Sequence, residues 1–274
     1  MDKNIMRLKI KKILFSIIIF GLICFIYSFI EPYLLVNKNY NLSNSDNSSG
    51  IKIVFLADIH VGPYFSQNRL KRLVERVNKL NPDIILLGGD YVHRDVKYIP
   101  IAFSELKHLK AKYLIGAVLG NHDHWESKEI SYVEMKKAQI IPLDNVSQRI
   151  KIGTREIEIF GVGDLYEDRQ LLETDNKKLK SSFNILVSHN PDYIERINPN
   201  ILKKIDLILS GHTHGGQVSF FGLWAPLVPS QYGQKYRTGH KTIGSTQIII
   251  SNGIGTITPP VRFFAFPQVC IIEI

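Results

Sequence analysis

The chain has 274 residues, of which 45% are hydrophobic and 22% are charged, a balance typical of globular proteins. No repeat of 20–50 residues occurs, which argues against a solenoid, and the two cysteines are too few for a disulfide framework. The net charge is +9, with five basic residues among the first twelve. No dense basic run with interleaved aromatic residues is present, so we expect no nucleic-acid partner.

The N-terminal region predicts a membrane anchor. Residues 13–30 carry no charge, and such a helix is long enough to cross the hydrocarbon core of a bilayer. The run lacks the small-residue pattern of a signal-peptide cleavage site. We therefore predict a basic tail over 1–12, a transmembrane anchor over 13–30, a flexible linker over 31–50 and one α/β domain over 51–274. Basic residues before the helix favour a domain outside the membrane, and a helix lying flat on the membrane surface is the alternative.

Strands and helices alternate from residue 51 onward. Short apolar runs predict strands at 51–56, 84–87, 114–119, 183–187, 207–209, 247–250 and 269–274. Apolar residues at helical spacing predict helices over 66–80 and 130–138, and alternation around Gly153 predicts a hairpin over 150–159. Because helices are frequent early and strands dominate later, the pattern favours a layered α/β sandwich.

Polar side chains follow five of these strands directly. Ligands of open α/β sheets bind at the carboxyl ends of the strands, so we expect these side chains to meet at one edge. They are Asp58 and His60, Asp90, Asn121 with His122 and Asp123, His189, and His212 with His214.

The mixture of carboxylates, imidazoles and an amide predicts a metal site. It suits divalent ions such as Mn²⁺, Fe or Zn²⁺, and one ion needs only three or four protein ligands. Seven candidates therefore predict two divalent metal ions that share a bridging carboxylate. Each motif alone has an ordinary structural explanation, such as a capped turn, and only the ordered set is specific. The seven are Asp58, His60, Asp90, Asn121, His189, His212 and His214.

With these motifs in place, residues 51–216 resemble the calcineurin-like metallophosphoesterases. The stretches SGHTHGGQV, PSQYGQKYRTG, IIISNGIGT and PPVRFFAFPQ are similar to the small bacterial membrane-anchored branch of that superfamily. The resemblance implies a four-layer αββα sandwich with two mixed β-sheets.

The resemblance also implies roles for individual residues. One metal would be held by Asp58, His60 and His214, and the other by Asn121, His189 and His212, with Asp90 between them. His122 would protonate the leaving group, and Asp123 would orient His122. Mn²⁺ is the first expectation for both metals, with Fe or Zn²⁺ as alternatives.

The substrate is predicted from the anchor, the basic excess and an apolar segment after the metal loop. Together they favour a lipid-linked phosphoester or pyrophosphate, and proteins similar to this branch include hydrolases of UDP-2,3-diacylglucosamine. Arg262 and His124 are expected to contact this substrate. Two alternatives stay open: a general phosphodiesterase or phosphomonoesterase acting on small soluble or cell-envelope phosphoesters, and a catalytically weak binding module on the same scaffold. The apolar segment comprises Phe220, Phe221, Leu223, Trp224, Leu227 and Val228.

Overall fold

Two six-stranded sheets form the centre of the protein, and a computed structural model describes residues 3–42, 50–172 and 183–274. The helices are α1 (Lys3–Ile30), α2 (Gln67–Lys79), α3 (Tyr98–Leu106), α4 (Asn121–Lys137) and α5 (Pro199–Leu202). The strands are β1 (Val36–Asn41), β2 (Lys52–Leu56), β3 (Ile84–Leu87), β4 (Leu114–Ala117), β5 (Ile141–Pro142), β6 (Ser147–Ile152), β7 (Arg155–Gly161), β8 (Phe183–Val187), β9 (Leu207–Ser210), β10 (Gly239–Ile243), β11 (Thr246–Ile250) and β12 (Gln268–Glu273).

Both sheets are mixed. The first has the strand order β1-β12-β2-β3-β4-β5, in which β2 to β5 run parallel and β12 runs antiparallel to β2. The second has the order β10-β11-β9-β8-β7-β6, with β7, β8, β9 and β11 parallel. Parallel neighbours require crossover connections, and α2, α3 and α4 lie in the three crossovers between β2 and β5. The carboxyl ends of the parallel strands within each sheet therefore share one edge.

Three apolar cores separate four layers. The innermost core lies between the two sheets and includes Phe55, Leu86 and Ile185. The outer face of the first sheet packs against the helices through residues such as Leu70 and Phe103. A third core covers the outer face of the second sheet. The expected αββα sandwich with two mixed sheets is confirmed.

Most predicted elements are confirmed, and one helix is longer than predicted. α4 starts at Asn121 rather than near residue 130, and its backbone is non-helical at Ser127 (φ −179°, ψ 112°). Because the break at Ser127 changes which face of α4 points inward, the regular spacing of apolar residues is visible only in the second half of the helix. Helix α3 was not predicted, although its buried residues Ile99, Ala102, Phe103 and Leu106 have helical spacing.

The predicted flexible linker over 31–50 is wrong for its first part. Residues 31–33 form a 3-10 turn, and β1 pairs in parallel with β12 at the edge of the first sheet. Tyr40 alone among the β1 side chains is buried. Strand β1 is held by main-chain hydrogen bonds at the edge of the sheet, so its polar side chains can stay in water. Its Asn-rich sequence therefore lacks the apolar pattern that would predict a strand. The domain therefore begins before residue 51, and positions 43–49 lie outside the described residues.

Candidate metal centre

The loops after β2, β3, β4, β8 and β9 meet at one edge of the sandwich and carry the predicted ligands. Main-chain hydrogen bonds join these loops in pairs. Asp58 N–H donates to Gly89 O and Gly211 N–H donates to His189 O, each at 3.0 Å. His212 N–H donates to both carboxylate oxygens of Asp58, at 2.9 and 3.1 Å. The contact between His212 and Asp58 thus connects the second sheet to the first directly beneath the site.

Five of the seven candidate ligands have left-handed backbone conformations. Their φ angles lie between 51° and 68°, a region that few non-glycine residues occupy. Such conformations cluster at functional sites, where the surrounding structure enforces them. The turn they produce directs side chains into the cleft as soon as each strand ends. The five are Asp58, His60, Asp90, His212 and His214.

Gly120 permits the close approach of the two sheets at this point. A Cβ atom on Gly120 would lie 2.3 Å from Asp90 Oδ1 and 2.6 Å from His189 Cε1. No residue with a side chain fits without displacing one of those groups. The glycine before Asn121 is therefore required by the packing of the ligands themselves.

The first ligand group contains Asp58, His60 and His214. The Nε2 atoms of His60 and His214 are 3.1 Å apart, and His214 Nε2 is 3.7 Å from Asp58 Oδ1. All three residues are buried. One potential ligand atom from each lies within 4.8 Å of the other two, as expected for residues that share one ion.

The second group contains Asn121, His189 and His212, with Asp90 between the groups. His189 Nε2 lies 3.2 Å from both Asn121 Oδ1 and His212 Nδ1. Asp90 Oδ2 lies 3.4 Å from His189 Nε2 and 3.5 Å from His60 Nε2. One carboxylate oxygen thus contacts a histidine of each group, which is the position of a bridging ligand.

The hydrogen bond of His189 Nδ1 determines which ring nitrogen carries the proton. Nδ1 lies 2.7 Å from Gly88 O, and because a carbonyl can only accept, Nδ1 must carry the proton. This arrangement leaves the Nε2 lone pair free for a metal, as is usual for ligating histidines.

The charge state of the cluster fits a pair of cations. Burial holds the pKa values of His60 and His214 well below the usual range, so both rings are neutral and offer lone pairs. Burial would also lower the pKa of His189, but the carboxylates of Asp90 and Asp58 raise it well above the ordinary value. A buried site that forces a proton onto one of its own histidines favours positive charge there. Bound cations would satisfy that demand and leave the ligating imidazoles neutral.

His122 stands beside the ligands, as predicted, but its neighbour differs from the expected one. Its ring lies 4.8 Å from the ring of His60, and its Nδ1 is 3.4 Å from Nδ1 of His93. The carboxylate of Asp123 instead accepts main-chain N–H groups from Asp90, Tyr91 and Gly120. The expectation that Asp123 orients His122 is therefore wrong in this structure. Asp123 fixes the loop that carries Asp90, and His93 contacts the His122 ring.

The expected contact between Arg262 and substrate is also wrong. The Arg262 side chain is fully buried. Its guanidinium donates to the carbonyl oxygens of Gly255, Asn252, Ala265 and His214, at 2.6 to 3.5 Å. These donors are committed to main chain behind the His214 loop, so Arg262 supports that loop from outside the cleft.

His124 is separate from the two ligand groups. Its Nε2 atom is buried and has no hydrogen-bond partner among the described residues. Burial, reinforced by the charge of Lys128, lowers its pKa, while Asp164 and Asp168 oppose the shift. Its charged neighbours thus lie toward residues 164–168, and substrate contact by His124 stays a prediction.

The comparisons with known proteins agree with this geometry. The family model for calcineurin-like phosphoesterases matches residues 51–216. The chain is 29% identical to the uncharacterized metallophosphoesterase YkuE of Bacillus subtilis over 89% of this chain and 86% of the relative. It is 30% identical to the phosphodiesterase YaeI of Escherichia coli over 84% of both chains. Some relatives are much longer, and the chain spans 48% of one from Caenorhabditis elegans.

A solved structure supports the fold alone. The NAD nucleotidase of Haemophilus influenzae aligns with 74% of this chain and 50% of its own, with a TM-score of 0.50 and 14% identity. The shared architecture reaches across proteins whose sequences have diverged almost completely.

Proposed function

Because this chain belongs to the calcineurin-like phosphoesterases and is therefore a phosphoric ester hydrolase, we propose that it cleaves phosphodiester or pyrophosphate bonds with two divalent cations. The observation that carries this proposal is the position of Asp90. Its Oδ2 atom lies 3.5 Å from His60 Nε2 and 3.4 Å from His189 Nε2. It thereby connects Asp58, His60 and His214, whose ligand atoms converge within 4.8 Å, to His189 and His212, with which Asp90 forms a second group of the same size. A site for one metal ion, or a purely structural cluster, would not need one carboxylate that contacts histidines of both groups.

Asp58, His60 and His214 would hold one cation, and Asn121, His189 and His212 the other. Mn²⁺ is our expectation for both, because the donors mix oxygen and imidazole nitrogen. Two such ions, when bound, neutralise charge on the phosphoryl group and supply a hydroxide nucleophile near neutral pH. Every ligand position is filled, which favours an active enzyme over a binding module.

His122 is placed to handle the proton of the leaving group. Its main-chain N–H donates to Asp90 Oδ1 at 2.9 Å, so the bridging carboxylate fixes its backbone. Its half-buried ring lies at the edge of the ligand cluster, with the His93 ring on one side and the Trp125 ring 4.6 Å away. We propose that His122 donates a proton to the leaving oxygen, a role that needs a mobile proton and partial exposure.

An apolar groove beside the metal centre supports a lipid-linked substrate. The groove has a volume of about 420 Å³ and begins at His214. Leu227 also lines it and is 80% exposed, so the groove opens toward water or lipid. A diacylated nucleotide such as UDP-2,3-diacylglucosamine would place its pyrophosphate at the metals and an acyl chain in this groove. The other lining residues include Val218, Pro226, Val228, Ile257 and Pro259.

A phosphodiesterase acting on small soluble diesters is the second candidate. It is favoured by the similarity to YaeI, whose name specifies a phosphodiesterase and no lipid. A monoesterase has less support among the comparisons.

The decisive experiment measures metal content and turnover on the full-length protein in detergent. We expect two Mn²⁺ per chain and hydrolysis of bis-p-nitrophenyl phosphate in preference to p-nitrophenyl phosphate. Asp90→Asn should lose metal, whereas His122→Ala should keep both ions and lose about 10²- to 10⁴-fold in kcat. Faster cleavage of UDP-2,3-diacylglucosamine than of the chromogenic diester would support the lipid-linked substrate. Full activity and metal content in both variants would reject the assignment.

A further inference from the structure

A cluster of exposed apolar side chains lies next to the metal loop. We call it the aromatic rim. Phe221, Leu223 and Leu227 are 76%, 82% and 80% exposed, so these residues do not belong to the core. Contiguous exposed apolar surface on a folded domain marks a site of interaction. The rim consists of Phe220, Phe221, Leu223, Trp224, Leu227 and Phe264.

Helix α1 runs past this rim. A groove of about 510 Å³ separates the two, with Phe20, Ile23 and Tyr27 on the helix side. Phe220, Phe221, Phe263 and Phe264 line the other side. The ring centroids of Tyr27 and Phe263 are 5.9 Å apart, so the walls touch at the C-terminal end of the helix.

The end of α1 is fixed to the domain by buried polar contacts. Glu31 is fully buried, and its carboxylate accepts N–H groups from Phe264 and Ala265 at 2.8 and 2.6 Å. Arg262 N–H donates to Ser28 O at 2.9 Å. A guanidinium nitrogen of Arg69 donates to Pro32 O at 2.6 Å. These contacts make the helix and the rim parts of one rigid arrangement.

The position of the groove along α1 determines how deeply the rim would lie in a membrane that contains α1. The helix contains a window of mean hydropathy 2.8 that is only 6% buried within the protein, and a helix of this kind is long enough to cross a bilayer. At 1.5 Å per residue, Phe20 lies about 15 Å from Ile30 along the helix axis. A rim that lines a groove reaching Phe20 therefore lies alongside the apolar part of the helix. If that part is in lipid, the rim is in lipid too, whether α1 crosses the membrane or lies along its surface.

We propose that the aromatic rim is a second membrane contact that inserts beside α1 and turns the metal cleft toward the lipid surface. Val218, which lines the groove that contains His214, pairs with Phe263, which lines the groove beside α1. The two grooves are therefore adjacent, and an acyl chain could pass from the bilayer to the cleft along them. Arginines of α2 give the surface a charge that matches anionic headgroups. Arg69, Arg72 and Arg76 line a pocket that also includes Pro32 and Tyr33, just after α1.

The two tryptophans of the chain provide a matched test. Trp224 belongs to the rim and is 50% exposed, whereas Trp125 lies beside His122 and is 60% exposed. Full-length Trp125→Phe and Trp224→Phe variants each keep one indole, and both are reconstituted into phosphatidylcholine vesicles with and without brominated acyl chains. Bromine quenches only indoles in contact with it. We expect at least twofold quenching of Trp224 and little quenching of Trp125.

A second variant keeps the test independent of any single substitution. Phe221→Ser combined with Leu223→Ser should reduce the quenching of Trp224 while leaving detergent-phase hydrolysis of bis-p-nitrophenyl phosphate unchanged. Equal quenching of the two tryptophans in vesicles that retain the protein on flotation would overturn the proposal. So would Trp224 fluorescence that shifts with protein concentration and not with bromination, because a second copy of the chain would then cover the rim. The inference rests on the proposed insertion of α1 into the membrane but not on the proposed hydrolysis. Fluorescence quenching reports insertion without turnover, so failure of one proposal can be distinguished from failure of the other.

Discussion

Replacing Gly120 with alanine isolates the contribution of ligand packing to the metal centre. The φ and ψ angles of Gly120 are −105° and 176°, which alanine adopts freely, so the backbone itself should not object. The added Cβ atom would lie 2.3 Å from Asp90 Oδ1, about 1.1 Å short of ordinary van der Waals contact. Because the same Cβ atom would lie 2.6 Å from His189 Cε1, the Asp90 carboxylate and the His189 ring must both move, the carboxylate by about 1 Å. Misplacement of that size costs on the order of 10²-fold in rate, and disturbance around ligands costs about 10- to 100-fold in metal affinity.

The assay for Gly120→Ala combines metal titration with hydrolysis of bis-p-nitrophenyl phosphate. We expect kcat/KM to fall by about 100-fold or more, with weaker binding of at least one ion. Gly153→Ala is the matched control, because Gly153 has φ +60° and open space around its Cβ position. That substitution should cost about 1 kcal/mol of stability through backbone strain and leave metal binding intact. Normal metal affinity and turnover in Gly120→Ala would show that the ligands are held less tightly than these distances imply.

Two further predictions concern buried charges outside the ligand set. Arg262→Met should lower stability by about 3 kcal/mol or more, since it leaves several buried carbonyls without a donor, and should lower Tm by roughly 6 °C or more. An isolated rise in KM with unchanged Tm would instead mean that Arg262 binds substrate. Burial raises the pKa of Asp144 to about 7, so ionisation of Asp144 destabilises the fold progressively as pH rises from about 4 to 7. Asp144→Asn retains an acceptor for Leu119 N–H, and its stability relative to the wild type should increase by about 2 to 3 kcal/mol between pH 5 and pH 8; thermal unfolding at the two pH values would show no such change if Asp144 titrates normally.

The predicted ligands converge in the structure because the ends of the strands determine where the polar residues that follow them lie. Asp58 follows β2 and His189 follows β8, and both positions are readable from apolar runs alone. The side-chain directions were less accessible. Strand β2 ends at Leu56, and left-handed turns, which no residue pattern reveals, direct the side chains of Asp58 and His60. The left-handed turns nevertheless bring both side chains to the cleft that the strand ends predict.

The errors share a physical cause, which is hydrogen bonding to main chain. Arg262, Asp123 and Glu31 are charged residues whose partners are backbone N–H or C=O groups. Main-chain partners leave no residue pattern, so sequence reasoning assigned Arg262 to substrate and Asp123 to a histidine. Strand β1 was missed for a related reason, since its pairing with β12 is a main-chain ladder. Side-chain patterns indicate cores and candidate metal ligands, but they do not predict which charged side chains form hydrogen bonds with main-chain groups.

The segment 262–265 contacts both the end of α1 and the loop that carries His214. Its N–H groups bind Ser28 O and the Glu31 carboxylate at the end of α1, while the Arg262 side chain contacts His214 O and the N–H of Phe263 donates to Gln217 O at 2.8 Å. One short stretch therefore holds the end of the apolar helix and supports the loop that carries the predicted ligand His214. Because both attachments use buried hydrogen bonds, neither can shift without leaving polar groups unpaired. The distance from the end of α1 to His214 is thus fixed by the fold, as the proposal of a substrate that arrives from a lipid surface requires.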